Sequence, residues 1–237
     1  MKLFYSPTPS LHKVPIVARE KGLWARIEVV PVYPYKPAYD IGALNPLAKV
    51  PTLALDDGTA LYGSQAICEY LDSLTPRPVL FPPASPARWD ALRRMALGDS
   101  VFDAMVSINL ENARPREERR RDHFERQWPK IIRGLDQMEC DAGALGDVWD
   151  IGRLATLHPL SYIDPARGAE DPLHPHYDWR PGRAALAAWY DRQAMRPSVV
   201  AQRATQAGDD STENLARHIA AVVGARAHKK PEPPNAA

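Results

Sequence analysis

The chain has 237 residues and a formal net charge of +1 at pH 7, from 30 basic and 29 acidic side chains. Apolar residues make up 45% and charged residues 25% of the sequence, a balance typical of a folded globular protein and not of a disordered one. The near-zero charge argues against a nucleic-acid partner and against adsorption to a membrane surface. The length allows one large domain or two smaller ones.

Cysteine usage and the start of the sequence indicate the compartment. Cys68 and Cys140 are too few for a disulfide framework, which favours a reducing environment, and Cys68 is expected to be a buried small hydrophobe. The sequence opens on the strand-like segment MKLFY without a basic and then apolar leader, and no segment has the length of a membrane span. We therefore expect a cytoplasmic protein that contacts no membrane.

The first 76 residues predict an α/β unit. Lys2–Tyr5 is a short strand, and a helix is predicted from Pro9 to about Lys21 because apolar residues recur there at helical spacing. A β-branched second strand is predicted within residues 25–34. Two strands joined by a DDG turn and a final helix complete the unit: Thr52–Leu55, Ala60–Leu61, and Ser64 to about Ser73. This order is roughly thioredoxin-like.

A proline-rich connector separates this unit from a helical half. Residues 73–86 contain five prolines, which remove backbone donors and interrupt helices. We predict a linker at 77–87, an all-α domain at 88–205, and a C-terminal helix with a disordered tail at 206–237. The all-α domain is predicted to open with two long helices, at residues 89–113 and 116–143.

The segment from Asn45 to Leu71 carries the most information about function. In NPLAKVPTLALDDGTALYGSQAICEYL, the pair Val50-Pro51 lies at the start of an apolar strand and a helix opens at Ser64. The first N–H groups of a helix have no intrahelical partner, and the helix dipole favours negative charge beside them. An exposed backbone edge that faces such a helix start suits a small peptide with a carboxylate.

This segment and three others closely resemble the cytosolic glutathione transferase family, in its bacterial type. The others are the opening MKLFYSPTPSLHKVPIVAREKGL and the helical segments DIGRLATLHPLSYID and DWRPGRAALAAWYDRQAMRPSV, so the resemblance covers most of residues 1–205. It implies the glutathione transferase fold: a thioredoxin-like α/β N-terminal domain followed by an all-α C-terminal domain. It also implies that Asp150 caps the buried central helix, with Arg153 where the family usually has the acidic or amide partner of a capping box.

The resemblance assigns one end of the glutathione site to the residues around Pro51. It implies a cis peptide bond at Val50-Pro51, where these transferases have a cis-proline. The N–H and C=O of Val50 would then pair with the cysteinyl backbone of glutathione. Lys49 would either reach the glycyl carboxylate of the tripeptide or be an ordinary solvated lysine.

The other end of the site is assigned to the helix that begins at Ser64. By resemblance, Ser64 and its amide hold the γ-glutamyl carboxylate; the plainer interpretation is a serine N-cap. Gly63 stands where many relatives have an acidic residue or Gln, which would orient the γ-glutamyl ammonium. An acidic residue of a second subunit could take that role, and Asp99 is the candidate.

Thr8 is the candidate catalytic residue. Counted back from Lys13, the pair Thr8-Pro9 matches the hydroxyl-bearing position of related bacterial transferases. A hydroxyl that donates to the glutathione sulfur favours the thiolate and lowers its pKa. Thr8 before Pro9 is also a common helix start, and one hydroxyl can serve both roles. Ser10 and Ser6 are the alternatives.

We therefore predict a glutathione transferase, with a role in detoxification, that directs the thiolate of glutathione at a small hydrophobic electrophile. A homodimer is expected. No metal is expected, because His174 and His176 lack the Cys or His cluster of a recognised site. Two alternatives stay open: a non-catalytic protein that binds glutathione or a hydrophobic ligand, and a glutathione-dependent disulfide reductase. Candidates for the electrophile pocket are Met105, Asn109 and Tyr162.

Overall fold

In the computed structural model, which describes residues 1–6, 11–33, 36–146, 149–163, 177–203 and 212–227, the chain forms four strands and eight α-helices. The strands are β1 (Lys2–Tyr5), β2 (Glu28–Pro31), β3 (Thr52–Ala54) and β4 (Ala60–Tyr62). The helices are α1 (Lys13–Glu20), α2 (Ser64–Ser73), α3 (Pro86–Asn112), α4 (Arg121–Leu145), α5 (Ile151–Ile163), α6 (Ala184–Ala194), α7 (Pro197–Arg203) and α8 (Thr212–Ala227). Within this described part, no helix combines the length and the apolar character needed to cross a membrane.

Contacts divide the chain into two compact units. The first consists of Met1–Thr8, Val17–Arg77 and Thr205–Ala237, and the second of Pro9–Ile16 and Pro78–Ala204. The first unit contains the sheet and the second is helical, so the predicted fold class, a thioredoxin-like α/β part followed by an all-α part, is confirmed. The predicted domain boundaries themselves stay predictions.

The sheet of the first unit has the strand order β2-β1-β3-β4. Strands β1 and β2 are parallel and joined through α1, as a parallel pair requires a crossover. Strand β3 runs antiparallel to both β1 and β4, and the last rung of the β3–β4 ladder pairs Thr52 with Tyr62. This hairpin fixes the relative positions of the residues just before β3 and just after β4.

Helix α8 contributes to the core of the first unit. Val222, which is 4% exposed, lies in one buried cluster with residues of the sheet and of the segment that follows β2: Phe4, Val30, Val32, Ile41, Leu44 and Ala54. At the edge of this contact His218 Nε2 lies 2.6 Å from Glu28 Oε1. The hydrogen bonds from His218 and then from Lys2 hold the pKa of the Glu28 carboxyl below its usual value. The predicted disordered tail falls on 228–237, outside the described residues.

The start of α5 confirms the predicted capping role of Asp150. Its Oδ1 accepts from the Arg153 N–H at 2.9 Å, and its side chain is 7% exposed. Arg153 takes the place of the missing acidic partner, because its guanidinium binds the Asp150 carboxylate and donates to the Leu145 carbonyl. The carboxylate therefore receives both a backbone and a side-chain donor, which satisfies a charge that would be costly to bury alone.

Several helix boundaries differ from prediction, and the starts of α1 and α4 differ most. Residues 11 and 12 are not helical and α1 begins at Lys13, so the predicted start at Pro9 is too early. Helix α4 begins at Arg121, because residues 116–118 form a separate 3₁₀ turn after Pro115. Local propensity favours helix in both segments, and the observed starts depend on contacts from elsewhere in the chain.

Glycine allows α3 and α5 to approach closely in the second unit. A Cβ at Gly98 would lie 2.3 Å from the Ala155 carbonyl oxygen, and one at Gly152 would lie 2.5 Å from the Ala91 carbonyl oxygen. Both distances are far inside van der Waals contact, and both obstacles are backbone atoms that cannot rotate away. The buried α3–α5 interface therefore requires glycine at both positions.

We expect Gly98→Ala to lower the free energy of unfolding by about 1–3 kcal/mol, as overpacking does in a close-packed core. Gly143→Ala in α4 is the matched control, since a Cβ there meets nothing within 4 Å. The control should be neutral or stabilising by roughly 0.5–1 kcal/mol, because alanine favours helix over glycine. Urea denaturation of the two variants checks this, and equal midpoints would contradict the packing account.

Candidate functional site

The backbone of Val50 is the open edge of the first unit. The peptide bond between Val50 and Pro51 is cis, as the resemblance implied. Val50 is half-buried and packs against the core cluster, whereas Lys49 before it is exposed. Among the described residues, neither the N–H nor the C=O of Val50 makes a hydrogen bond. Both groups are thus available to an extended peptide.

Asn45, which sequence reasoning overlooked, holds this edge in place. Its side chain is 1% exposed, and its Nδ2 donates to the Lys49 carbonyl at 2.9 Å and to Thr52 Oγ1 at 3.1 Å. Its Oδ1 accepts from the Leu47 N–H at 3.0 Å, and the Ala48 N–H donates to the Asn45 carbonyl at 2.8 Å. These bonds close a turn in which Ala48 takes a left-handed φ of 49°.

The start of α2 lies next to this edge. Gly63 is the N-cap residue, with φ 78° and ψ 145°, and Ser64 is the first helical residue, not the cap. The Gly63 N–H donates to the Pro51 carbonyl at 3.3 Å, one residue beyond the last rung of the β3–β4 ladder. The open backbone of Val50 and the unpaired first amides of α2 therefore lie at the same end of the hairpin.

The backbone conformation at position 63 explains why the residue there is glycine. A φ of 78° with extended ψ is a backbone shape that a side chain disfavours, although a Cβ there would meet nothing within 4 Å. An acidic residue at this position would adopt that shape under strain. Glycine adopts this shape without strain and places no carboxylate beside the helix start.

Thr8 and Ser10 lie outside the described residues, so the structure does not place either hydroxyl. The residues that follow them are described. Lys13, whose side chain is 1% exposed, pairs with Asp99 of α3 within the second unit. The candidate Asp99 therefore has an intrachain partner, and its role toward a second subunit stays a prediction.

An aromatic cluster lies within the second unit, on α3 and α5. The rings of Phe102 and His158 stack at 4.0 Å, and Phe102 meets Tyr162 edge-on at 5.1 Å. Asn109 Nδ2 donates to the Tyr162 hydroxyl at 3.0 Å, so two of the residues predicted for the electrophile pocket are joined. Met105 is 2% exposed. The sequence analysis did not single out Phe102 and His158. Helical spacing could have indicated both, because Phe102 shares a face of α3 with Asn109 and His158 shares a face of α5 with Tyr162.

Two further predictions concern metal and cysteine. Among the described residues, no group of three or more His, Cys, Asp or Glu is arranged to hold a metal ion, and His174 and His176 fall outside that part. Cys68 of α2 is 0% exposed, which confirms that it is a buried hydrophobe. Cys140 is exposed.

Sequence comparisons identify the family. Residues 8–74 match the model of the glutathione S-transferase N-terminal domain. An uncharacterized GST-like protein of Escherichia coli K12, YibF, is 32% identical over 169 residues, which cover 69% of this chain and 82% of that protein. The chain belongs to the glutathione S-transferase family. The matched domain contains the candidate glutathione residues Thr8, Ser10, Lys49, Val50, Pro51, Gly63 and Ser64, whereas Asp99 lies outside it.

Solved glutathione S-transferases share the fold over nearly their whole length. A family member from Pseudomonas fluorescens Pf-5 with bound glutathione superposes with a TM-score of 0.77 at 34% identity, over 85% of this chain and 98% of that one. A second structure, with bound S-(propanoic acid)-glutathione, gives a TM-score of 0.74 at 33% identity, over 86% and 98%.

The chain is also similar to proteins with other names. A stringent starvation protein A homolog of Haemophilus ducreyi is 31% identical over 153 residues, which cover 65% of this chain and 64% of that protein. Family membership therefore establishes the fold of this chain but not its activity. The activity has to be inferred from the residues of the candidate site.

We expect Asn45→Ala to destabilise the protein by about 2–3 kcal/mol, because it removes buried hydrogen bonds and leaves the Leu47 N–H and the Lys49 carbonyl with fewer partners. Thr52→Val removes only one hydroxyl of the same network and should cost about 1 kcal/mol. Thermal and urea denaturation midpoints measure both. If Asn45→Ala lowers the stability no more than Thr52→Val does, the turn does not depend on the side-chain amide of Asn45.

Proposed function

We propose that this chain is a glutathione transferase: it binds glutathione on the first unit and activates its thiol for attack on a small hydrophobic electrophile. The observation that carries the proposal is the adjacency of the open Val50 backbone and the N-terminus of α2, which the Gly63–Pro51 hydrogen bond fixes. The bound glutathione of the Pseudomonas relative supports the same ligand here.

Glutathione would lie along the Val50 edge with its γ-glutamyl end at the start of α2 and its glycyl end toward Lys49. Its cysteinyl backbone pairs with the N–H and C=O of Val50, and its γ-glutamyl carboxylate accepts from Ser64 and the first amides of α2. Lys49, which is exposed, reaches toward the glycyl carboxylate. Gly63 supplies no acid for the γ-glutamyl ammonium, so we expect weaker binding at that end than in relatives with an acidic residue there.

Thiol activation is assigned to Thr8, with Ser10 as the alternate. The hydroxyl donates a hydrogen bond to the sulfur, which stabilises the thiolate over the thiol and so lowers the pKa of the bound thiol. The nucleophile belongs to glutathione, and the protein supplies orientation and electrostatic stabilisation. The thiolate displaces a leaving group from, or adds to, an electrophilic carbon. A cytoplasmic homodimer is part of this proposal.

We predict that Thr8→Ala retains binding to immobilised glutathione and loses about 10- to 100-fold in turnover with an aryl halide, since a hydrogen bond to a charged group contributes about 1.5–3 kcal/mol. Because the pKa of the bound thiol rises in the variant, the loss is largest at low pH and shrinks as the pH rises above that pKa. Steady-state assays across pH measure this.

Matched variants test the residue assignment. Thr8→Ser keeps a hydroxyl and should keep most of the turnover, and Ser10→Ala should resemble the wild type. If Ser10→Ala shows the loss and Thr8→Ala does not, Ser10 is the donor. Unchanged turnover in both variants would contradict activation by this loop.

A non-catalytic binding protein is the second candidate, favoured by the similarity to a stringent starvation protein A homolog and by the missing acid at Gly63. Retention on immobilised glutathione without turnover of aryl halides or mixed disulfides would support it. Turnover of a mixed disulfide alone would instead indicate the disulfide reductase.

A further inference from the structure

A small cavity lies inside the second unit, between the last turns of α3 and the first turn of α4. Its volume is about 260 Å³, and the residues that line it include Ile108 and Glu111 of α3, the three consecutive arginines 119–121, and His123 and Phe124 of α4. We call it the arginine cavity. An apolar cavity of about 150 Å³ holds a benzene molecule, so the arginine cavity has room for one ring with a polar substituent.

Hydrogen bonds between the two helices hold the walls of the arginine cavity. Glu111 Oε1 accepts from the backbone N–H of Arg120 at 2.7 Å. His123 Nε2 lies 2.9 Å from Ser107 Oγ, and its Nδ1 lies 3.4 Å from Arg120 Nη2. Because a guanidinium can only donate, Nδ1 accepts and the Nε2–H donates to Ser107. The cavity therefore has its shape before any ligand binds.

The lining of the arginine cavity carries more positive than negative charge, with three arginines against the single carboxylate of Glu111. The carboxylates nearby already have cationic partners. Glu118 pairs with Arg114 at 3.0 Å and Glu125 with Arg121 at 2.8 Å. Glu111 accepts from the Arg120 N–H and also lies 3.7 Å from Arg114 Nε. These acids therefore do not neutralise Arg119.

Arg119 offers an open edge of its guanidinium group. Its Nε donates to the Arg114 carbonyl at 3.0 Å, which limits the orientation of the planar group. Within the described part of the chain, its two terminal nitrogens make no hydrogen bond or ion pair. Two adjacent N–H donors of a guanidinium match the two oxygens of a carboxylate. With Nε engaged, the edge formed by Nη1 and Nη2 is the one that a carboxylate can bind.

Apolar side chains form another part of the lining. Ile108 is 1% exposed, whereas Phe124 is 37% exposed and stacks on Trp128 with the ring centroids 5.7 Å apart. A ring placed against Ile108 and Phe124 buries apolar surface on both sides of the contact. The carboxylate of Glu111 in the wall disfavours a ligand with a second negative charge. The lining thus favours a monoanion with an apolar body over a phosphate dianion.

We propose that the arginine cavity binds a small organic monocarboxylate with one apolar ring. The carboxylate pairs with the open edge of Arg119, and the ring lies against Ile108 and Phe124. This site goes beyond the proposed glutathione site, because the residues that form it all belong to the second unit. It stands whether or not the first unit binds glutathione.

Three probes of the wild-type protein separate the contribution of charge from that of the ring. Benzoate has both, benzamide has the ring without the charge, and acetate has the charge without the ring. Nitrogen-15 NMR titrations at one fixed ionic strength measure each Kd from the amide signals of Arg119 and Phe124. We expect benzoate to saturate both signals with one Kd, and benzamide and acetate each to bind at least about tenfold more weakly.

Variants test the assigned residues. Arg119→Gln should raise the benzoate Kd about tenfold, because it removes charged donors from a solvent-exposed pair. Arg119→Lys keeps the charge but not the paired donors and should fall in between. Arg133→Gln is the matched control, since Arg133 is an exposed residue of α4 outside the lining, and it should change the Kd less than twofold. Phe124→Ala should weaken benzoate several-fold and leave acetate unchanged.

Several outcomes would overturn the inference. Benzoate that shifts neither signal at millimolar concentration, or that binds Arg119→Gln as tightly as wild type, would reject the site. Equal weakening in Arg119→Gln and Arg133→Gln would show long-range attraction by the whole surface instead of a site. Shifts at Phe102 and Tyr162 in place of Arg119 and Phe124 would show that benzoate binds the aromatic cluster. Both arginines are exposed, so equal urea midpoints are expected and confirm that the variants fold.

Discussion

The hydrogen bond from the Gly63 N–H to the Pro51 carbonyl sets the geometry on which the candidate site depends. It extends the β3–β4 pairing by one step past Thr52 and Tyr62, and so places the start of α2 beside the residue before Pro51. One of these elements offers backbone groups for an extended peptide, and the other offers amides for a carboxylate. A tripeptide with a carboxylate at its end can bind the Val50 backbone and the α2 amides at once only when the distance between these two elements is fixed. The β3–β4 hairpin fixes that distance.

Each unit contains a polar network that holds an irregular segment of backbone. Asn45 ties the turn before Val50 to Lys49 and Thr52 inside the first unit. Inside the second unit, Ser161 and Gln202 accept from the amides of Leu11 and His12. Both networks use buried side chains to bind main-chain groups that have no partner in a regular element, which satisfies those groups and removes alternative backbone conformations. The peptide edge at Val50 is thereby given a defined position by a residue that need not touch the ligand.

The sequence predicts the local features well because they have local causes. Strand β2, the hairpin turn and the start of α2 follow from a β-branched run, Asp-Asp-Gly and Gly-Ser, and family resemblance supplied the cis bond at Pro51 and the cap at Asp150. The start of α1 was predicted wrongly because the amides of Leu11 and His12, directly before α1, donate to side chains on α5 and α7, far away in sequence. Periodicity cannot reveal such partners.

Other features were missed for the same reason. Asn45 before a proline is an ordinary turn signal, and its burial becomes visible only when Lys49 and Thr52 fold over it. Val222 of α8 joins a core made of residues from the first quarter of the chain. The stack of Phe102 on His158 needs α3 and α5 to cross where Gly98 and Gly152 let them approach. Each is a tertiary contact that propensity does not encode.

The proposed glutathione site places a tripeptide thiol between the Val50 backbone and the start of α2. Nitrogen-15 NMR titration of the protein with glutathione tests this most directly at two amides. We expect the amide signals of Val50 and Ser64 to shift downfield together and to saturate at the same ligand concentration, because both N–H groups acquire acceptors on one molecule. Amide signals of Val50 and Ser64 that stay fixed at millimolar glutathione, or that titrate with different midpoints, would contradict it.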